Sequence, residues 1–167
     1  EILKSLTKDY KNNFNYKNLK KFKNSLDYRL IGMGGSSLGS KAIYDFLKHK
    51  IKKKFFFIDN LKREKLKKKK KNHNNLIISK SGNTIETIVN VNLLVKKQDK
   101  NIFITENKRN YLSLLAEKLK AEIIHHNDYI GGRYSVLSEV GMLPAELMGL
   151  KRDNFKQLNF LIKNKSF

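Results

Sequence analysis

Short apolar runs along the chain alternate with longer stretches in which apolar residues recur at helical spacing. Each run is short enough to be a buried strand, and each longer stretch is typical of a helix. The strand runs lie at residues 28–31, 55–58, 76–78, 101–105 and 122–125. The helical stretches lie at residues 38–47, 84–95, 111–119 and 135–150. This alternation predicts an α/β fold with a doubly wound, five-stranded parallel sheet of flavodoxin-like order 2-1-3-4-5.

The same pattern predicts the apolar side of two helices and a kink or break in a third. The helix that begins at Thr84 is expected to have one apolar side, made of Ile85, Ile88, Val89 and Leu93. The helix at 111–119 is expected to bury Leu112, Leu115 and Leu119. Pro144 lies inside the last long stretch, so we predict a kink or break near Leu143.

Hydroxyl side chains crowd the segment that follows the third predicted strand. Ser79, Ser81 and Thr84 lie where this strand becomes a helix, with Gly82 and Asn83 between them. At such a junction the unpaired backbone N–H groups and the positive end of the helix dipole favour a phosphate dianion. Serine and threonine are also ordinary helix caps, so this segment alone leaves both interpretations open.

Two further loops are rich in glycine. The loop at 32–37 follows the first strand, and the predicted strand order brings it beside the loop at 79–84. It is neither a dinucleotide fingerprint nor a nucleotide P-loop, because its glycine spacing differs and no Gly-Lys-Ser/Thr ending is present. In the third loop, Arg133 follows Gly131 and Gly132, where it can hold developing negative charge or belong to a solvated surface turn.

Composition limits the class of protein. The chain has 167 residues, no cysteine and a net charge of +21, which excludes disulfides and cysteine-based metal sites. No apolar run approaches the roughly 20 residues of a membrane span, so we expect a soluble, cytoplasmic protein with no membrane partner. Most of the cations are lysine, which shares A/T-rich codons with the abundant Asn, Ile and Phe. Compositional drift is therefore favoured over nucleic-acid binding, and the basic run at 62–71 is interpreted as a solvated segment.

Three parts are expected along the chain. Residues 1–27 are polar with scattered apolar side chains and predict an N-terminal helical extension, and residues 28–150 predict the α/β domain. Residues 151–167 are expected to form a C-terminal helix, at 153–162, which we interpret as truncated.

Together the three loops resemble those of the phosphoglucose isomerase family. The matching stretches are Gly32-Met33-Gly34-Gly35-Ser36-Ser37-Leu38-Gly39, Ser79-Lys80-Ser81-Gly82-Asn83-Thr84-Ile85-Glu86-Thr87 and Gly131-Gly132-Arg133-Tyr134-Ser135. The second stretch is shared by sugar-isomerase (SIS) domains in general, including aminosugar synthases and sugar-phosphate sensors. The first and third are more typical of phosphoglucose isomerases, and the resemblance covers residues 25–150.

The resemblance implies an aldose–ketose isomerase that interconverts glucose 6-phosphate and fructose 6-phosphate through a cis-enediolate, without metal or cofactor. The residues that it assigns to substrate binding are Gly35, Ser36, Ser79, Lys80, Ser81, Thr84 and Gly132. Arg133 is its catalytic residue in this chain, as the cation that stabilises the enediolate. Ser81 stands where many family members carry threonine, which keeps the hydroxyl.

The family's catalytic base is a glutamate, its ring-opening residue a histidine, and a lysine assists. All three lie beyond the equivalent of residue 167, and none of His49, His73, His125 and His126 matches the histidine. We therefore expect the chain alone to be inactive and the full-length protein to act as a homodimer. The alternative is a non-catalytic sugar-phosphate-binding SIS domain, of the sensor or aminosugar synthase type.

Overall fold

Five strands form one parallel sheet in the computed structural model, which describes residues 2–61, 72–157 and 164. The strands are β1 (Asp27–Ile31), β2 (Lys54–Ile58), β3 (Asn74–Ile78), β4 (Lys100–Glu106) and β5 (Glu122–His126). Their order is β2-β1-β3-β4-β5, and each neighbouring pair is parallel. The predicted doubly wound α/β fold and its strand order are confirmed.

Helices cover both faces of this sheet. They are α1 (Tyr16–Lys23), α2 (Gly35–Phe46), α3 (Ile85–Leu94), α4 (Tyr111–Lys118) and α5 (Glu139–Leu147). Successive strand residues alternate between the faces: Leu76 and Ile78 pack with α1, α2 and α5, whereas Ile77 packs with α3 and α4. Within the described part of the chain, no helix is long and apolar enough to cross a membrane.

The segment before β1 packs on the domain. A short 3-10 helix (Ile2–Leu6) precedes α1, and Leu19 and Phe22 of α1 are fully buried. After α5 the structure has a 3-10 helix (Arg152–Phe155). Most of the helix predicted at 153–162, and the whole basic run at 62–71, lie outside the described residues.

The predicted buried side of α3 is wrong. Ile85 and Leu93 are 67% and 64% exposed, whereas Thr87, Asn90 and Val91 are buried. Asn90 is tolerated inside because its side-chain amide donates a hydrogen bond to the carbonyl of Asn60 at 3.3 Å. The predicted side of α4 is confirmed, because Leu112 is buried and Leu115 and Leu119 pack on the same core.

The last long helix begins later than predicted and continues through its proline. A 3-10 helix (Gly132–Leu137) occupies the first part, and α5 starts after Ser138, whose side chain caps it by accepting from the Val140 N–H. The expected break near residue 143 is absent, because Pro144 lies inside α5. Proline deprives the carbonyl four residues earlier of its partner, and here the Ser40 hydroxyl donates to that Val140 carbonyl at 3.2 Å.

Candidate functional site

A cleft of about 260 Å³ opens at the carboxyl-terminal edge of the sheet, where the loops after β1 and β3 meet. It is lined by Met33, Gly35, Ser36, Lys80, Ser81, Thr84, Glu106 and Gly132. Six of these eight residues are among those predicted from the sequence to bind substrate. The parallel pairing of β1 with β3 brings the first two loops together, as expected for the switch point of such a sheet.

The loop at 79–84 turns tightly between β3 and α3. The N–H of Gly82 donates to the Ser79 carbonyl at 3.2 Å, and the Asn83 N–H donates to the Ser81 hydroxyl at 3.3 Å. Ser79 is 2% exposed and does not line the cleft. Its hydroxyl lies 3.0 Å from that of Thr84, so Ser79 orients a neighbouring hydroxyl that does line the cleft.

The two helices that begin at the cleft lack side-chain caps. Thr84 is the N-cap residue of α3 but makes no capping hydrogen bond, and Gly34 is the N-cap residue of α2. By contrast, α4 and α5 are capped by the side chains of Asn110 and Ser138. In α2 the Ser36 and Ser37 N–H groups donate to the backbone carbonyls of Met33 and Gly34 at 3.1 and 3.0 Å. The first-turn N–H groups of α3 have no capping side chain, so they are available to an anion together with the positive end of the helix. The simple capping interpretation of Thr84 therefore does not hold.

The first turn of helix α4 donates hydrogen bonds to the loop at 79–84. The N–H groups of Leu112 and Tyr111 donate to the Gly82 carbonyl at 3.2 Å and the Asn83 side-chain oxygen at 3.0 Å. Gly82 has φ of +65°, and a Cβ there would lie 2.0 Å from Oδ1 of Asn110. The positive φ and the packing of Asn110 are thus both reasons for glycine at this position.

The glycine-rich loop after β1 contacts the loop that carries Arg133. A Cβ on Gly35 would lie 2.3 Å from the carbonyl oxygen of Gly132, so the two backbones meet without room for a side chain. The Ser135 hydroxyl donates to the same Gly132 carbonyl at 2.7 Å and lies 3.4 Å from the carbonyl of Gly35. Gly34 has φ of +55°, which favours glycine as the residue that turns the chain into α2.

Arg133 lies beside the cleft rather than in its lining. It belongs to the first turn of the 3-10 helix that follows Gly132, and its side chain is exposed. Among the described residues its guanidinium has no hydrogen-bond or ion-pair partner. The structure therefore fixes the backbone that carries this cation, and the reach of the side chain toward the cleft starts from that backbone.

Glu106 lines the cleft, although it was not predicted from the sequence. It ends β4, and its N–H donates to the Lys80 carbonyl at 3.0 Å. Its carboxylate lies 3.4 Å from the amine of Lys108. A carboxylate repels phosphate but accepts hydrogen bonds from hydroxyl groups, so Glu106 is suited to sugar hydroxyls. The available signal was its place as the acidic residue that ends an apolar strand, at the carboxyl-terminal edge of the predicted sheet.

Lys80 joins two loops across the end of the sheet. Its side-chain amine donates to the carbonyl of Asp128 in the loop after β5, while its own carbonyl accepts from the Thr105 hydroxyl at 3.1 Å. No set of three or more metal-ligating side chains is grouped within the described residues. The ligand chemistry visible here is that of hydroxyls, backbone N–H groups and single charges.

Three glutamates and two histidines of the described chain lie outside the cleft lining. Glu86 is in the first turn of α3, while Glu139 and Glu146 belong to α5. His125 and His126 end β5, and His126 forms a buried pair with Glu139 in which Nδ1 lies 3.0 Å from Oε1. None of these five residues lines the cleft.

Comparison with protein families gives a match over nearly the whole chain. The family model described as phosphoglucose isomerase matches residues 3–161. Among curated relatives, glucose-6-phosphate isomerase of Acholeplasma laidlawii is 40% identical over 154 residues, covering 81% of this chain and 36% of that protein. The enzyme of Borreliella afzelii is 37% identical over 145 residues, covering 75% of this chain and 27% of that protein. The chain thus spans between about a quarter and about a third of these relatives.

Solved structures share the fold. A hypothetical protein from Thermus thermophilus aligns with a TM-score of 0.69 and 25% identity, covering 82% of this chain and 37% of that one. Tagatose-6-phosphate ketose/aldose isomerase from Escherichia coli aligns with a TM-score of 0.58 and 16% identity, covering 84% and 42%. At that identity the second likeness concerns the fold alone. The extent of the family match and the identity to its curated members carry the conclusion that this chain belongs to the phosphoglucose isomerase family.

Proposed function

We propose that this chain forms the sugar-phosphate-binding part of a glucose-6-phosphate isomerase. The reaction interconverts glucose 6-phosphate and fructose 6-phosphate by moving a proton between C2 and C1 through a cis-enediolate. The observation that carries the proposal is the start of α3, which lacks a side-chain cap and opens onto a cleft lined with the hydroxyls of Ser36, Ser81 and Thr84. This arrangement suits a phosphate dianion.

In this proposal Ser81 and Thr84 donate their hydroxyls to the phosphate, together with the backbone at Lys80. The buried Ser79 orients the Thr84 hydroxyl by a hydrogen bond, in which the two oxygens lie 3.0 Å apart. The sugar extends from there along Gly35, Ser36 and Gly132, which line the same cleft.

Arg133 acts on the charge that the reaction creates. The enediolate is anionic, whereas the neighbouring sugar atoms of the substrate are neutral, so a cation held beside the sugar stabilises the reaction path more than the bound substrate. The close contact of Gly132 with Gly35 supports this role, because it brings the Arg133 backbone to the sugar end of the cleft. A non-catalytic sugar-phosphate sensor has no such need for an arginine at this place, which favours the isomerase.

The proposal includes the arrangement of the whole protein. Residues 1–27 are an N-terminal extension, residues 28–150 are the SIS domain, and residues 151–167 lead into sequence that supplies the general base and the ring-opening group. The full-length protein is proposed to be a cytoplasmic homodimer that requires no metal or cofactor. The lengths of the curated relatives, about three to four times the matched region, support the need for further sequence.

Calorimetric titration of residues 1–167 with fructose 6-phosphate tests the phosphate contacts. The Ser81→Ala/Thr84→Ala double variant should lose about 1–3 kcal/mol of binding free energy for each charge-assisted hydrogen bond removed. Thr7→Ala is the matched control, since its hydroxyl donates to the local Lys4 carbonyl at 2.8 Å and does not line the cleft. Unchanged affinity in a folded double variant would contradict the proposed phosphate site.

A coupled assay of fructose 6-phosphate formation tests the isomerase. The full-length protein should turn over glucose 6-phosphate, whereas residues 1–167 alone should bind it weakly and show near-background turnover. General acid–base groups are each worth roughly 10²- to 10⁴-fold in rate, and the chain alone lacks them in this proposal. Turnover by residues 1–167 comparable to that of the full-length protein would place the base within this chain, contrary to the proposal.

A further inference from the structure

The loop that carries Arg133 is closed at its base by a buried ionisable pair. His126 is the last residue of β5 and Glu139 the first residue of α5, and their side chains are 1% and 0% exposed. Nδ1 of His126 lies 3.0 Å from Oε1 of Glu139. The pair therefore joins the two ends of the segment at 127–138.

The other ring nitrogen of His126 reaches the middle of the same segment. Nε2 lies 3.1 Å from the carbonyl oxygen of Ile130. A carbonyl only accepts hydrogen bonds, so Nε2 carries a proton and donates it. Ile130 is itself fully buried, so the imidazole links Glu139 to a fixed point two residues before Gly132.

Two further donors converge on the Glu139 carboxylate. The Asn127 N–H donates to Oε1 at 3.2 Å, and the Tyr10 hydroxyl donates to Oε2 at 2.9 Å. Burial raises the pKa of Glu139, but the hydrogen bonds from His126, the backbone and Tyr10 outweigh burial and lower it. The carboxylate is thus ionised at neutral pH inside the protein.

Tyr10 brings the N-terminal extension into this cluster. Its hydroxyl also accepts from the side-chain amide of Asn127 at 2.8 Å, and the amine of Lys156 donates to its carbonyl at 2.9 Å. Burial, and then the neighbouring Glu139 carboxylate, raise the pKa of Tyr10, so its phenol remains a donor. Segments from both ends of the described chain therefore hold the base of the Arg133 loop.

A buried ion pair is weak evidence for stability, because well-packed apolar residues often replace such pairs at little cost. Its value here lies in geometry. Arg133 has no side-chain partner among the described residues, so its position depends on the backbone from Ile130 to Gly132. That backbone is fixed at one end by His126 and at the other by the contact of Gly132 with Gly35.

We propose that Glu139 and His126 are positioning residues that hold Arg133 for the chemical step, with Tyr10 as their support from the N-terminal extension. This inference rests on the proposed isomerase function. The pair is expected to affect kcat and not phosphate binding. Neither side chain lines the cleft, and the loop at 79–84 is held independently by hydrogen bonds from α4.

The test compares Glu139→Gln with Glu146→Gln in the full-length protein. Glu146 lies on the same helix but pairs with Lys23 at 3.5 Å and Arg152 at 2.9 Å, away from the Arg133 loop. Glu139→Gln should lower kcat about 10- to 100-fold, the scale expected for a displacement of up to about 1 Å, and leave KM for fructose 6-phosphate within about threefold. Glu146→Gln should keep the wild-type kcat.

A double-mutant cycle separates positioning from general loss of structure. In an Arg133→Ala background, Glu139→Gln should reduce kcat no further, because the cation that it positions is already gone. Tyr10→Phe, which removes one donor and little volume, should give a smaller loss of kcat and serves as the readout if Glu139→Gln does not fold.

Additive losses in the cycle, or a kcat loss as large in Glu146→Gln, would overturn the positioning role while leaving the isomerase intact. If Glu139→Gln does not fold, a wild-type kcat in Tyr10→Phe would overturn it as well. Absence of isomerase activity in the wild-type full-length protein would instead overturn the proposed function itself.

Discussion

The contact between Gly35 and Gly132 offers a sharp test of how the Arg133 loop is placed. A Cβ added at Gly35 would lie 2.3 Å from the Gly132 carbonyl oxygen and 3.0 Å from the Arg133 nitrogen. Ordinary van der Waals contact begins at 3.4 Å, so the two backbones must separate by about 1.1 Å in the Gly35→Ala variant. Neither neighbour is the flexible end of a side chain, so the backbone itself must move.

The displacement predicts a large kinetic effect and a moderate stability effect. A misplacement of about 1 Å in a catalytic arrangement can cost about 100-fold in rate, so we expect Gly35→Ala to lower kcat by about that factor. Overpacking one methyl group against backbone should lower the free energy of unfolding by about 1–3 kcal/mol. Binding of inorganic phosphate should persist, because the loop at 79–84 is supported by α4 and not by Gly35.

Kinetics by a coupled assay and urea unfolding, both on the full-length protein, provide the two measurements. The control is Gly149→Ala, since Gly149 has φ of +94° with nothing within 4 Å of the added Cβ. That substitution should reduce stability through backbone strain of about 1–3 kcal/mol and leave kcat unchanged. A Gly35→Ala variant with wild-type kcat would show that the Gly35–Gly132 contact does not set the position of Arg133.

Three further predictions concern charge. Arg133→Ala in the full-length protein should lower kcat more than it raises KM for fructose 6-phosphate; a raised KM with normal kcat, measured by steady-state kinetics, would reassign Arg133 to substrate binding. The pKa of Glu139 is lowered on folding, so the ionised carboxylate should stabilise the protein above pH about 4.3, and this contribution should be lost as pH falls further. The free energy of unfolding of Glu139→Gln, measured in urea, should therefore approach that of the wild type in acid. Duplex DNA binding, measured by fluorescence anisotropy, should be weak, sequence-independent and steeply reduced by salt; sequence-selective binding at physiological salt would contradict compositional drift.

The strand order could be predicted because each strand and most crossovers left a local signal, and the flavodoxin-like order is a common arrangement for such an alternation. Leu76, Ile77 and Ile78 are apolar without alternation, as expected for a strand covered on both faces, and both faces are indeed covered. The buried side of α3 could not be predicted in the same way. Its sequence is apolar on more than one side, so periodicity did not indicate which side of α3 faces the sheet. A hydrogen bond to the carbonyl of Asn60 then allowed Asn90 to face inward.

The parts of the site that sequence missed depend on partners far apart in the chain. Tyr10 and Glu139 are 129 positions apart, and their hydrogen bond has no local pattern. The closeness of Gly35 to Gly132 is likewise invisible in either glycine-rich motif alone. Strand order brings the loops at 32–37 and 79–84 together, whereas the third loop reaches the cleft because the 3-10 helix (Gly132–Leu137) packs against α2.

Thr84 shows what a hydroxyl at a helix start can and cannot indicate. Ser138 and Thr84 occupy the same N-cap position in sequence terms, yet Ser138 caps α5 and Thr84 does not cap α3. The difference is the buried Ser79 hydroxyl, 3.0 Å from that of Thr84, which engages the side chain that would otherwise cap the helix. In this chain the serine that ends a buried strand, five residues before the N-cap threonine, accounts for a helix start that lacks its side-chain cap. A phosphate group at that position would accept hydrogen bonds from the backbone N–H groups that no side chain caps.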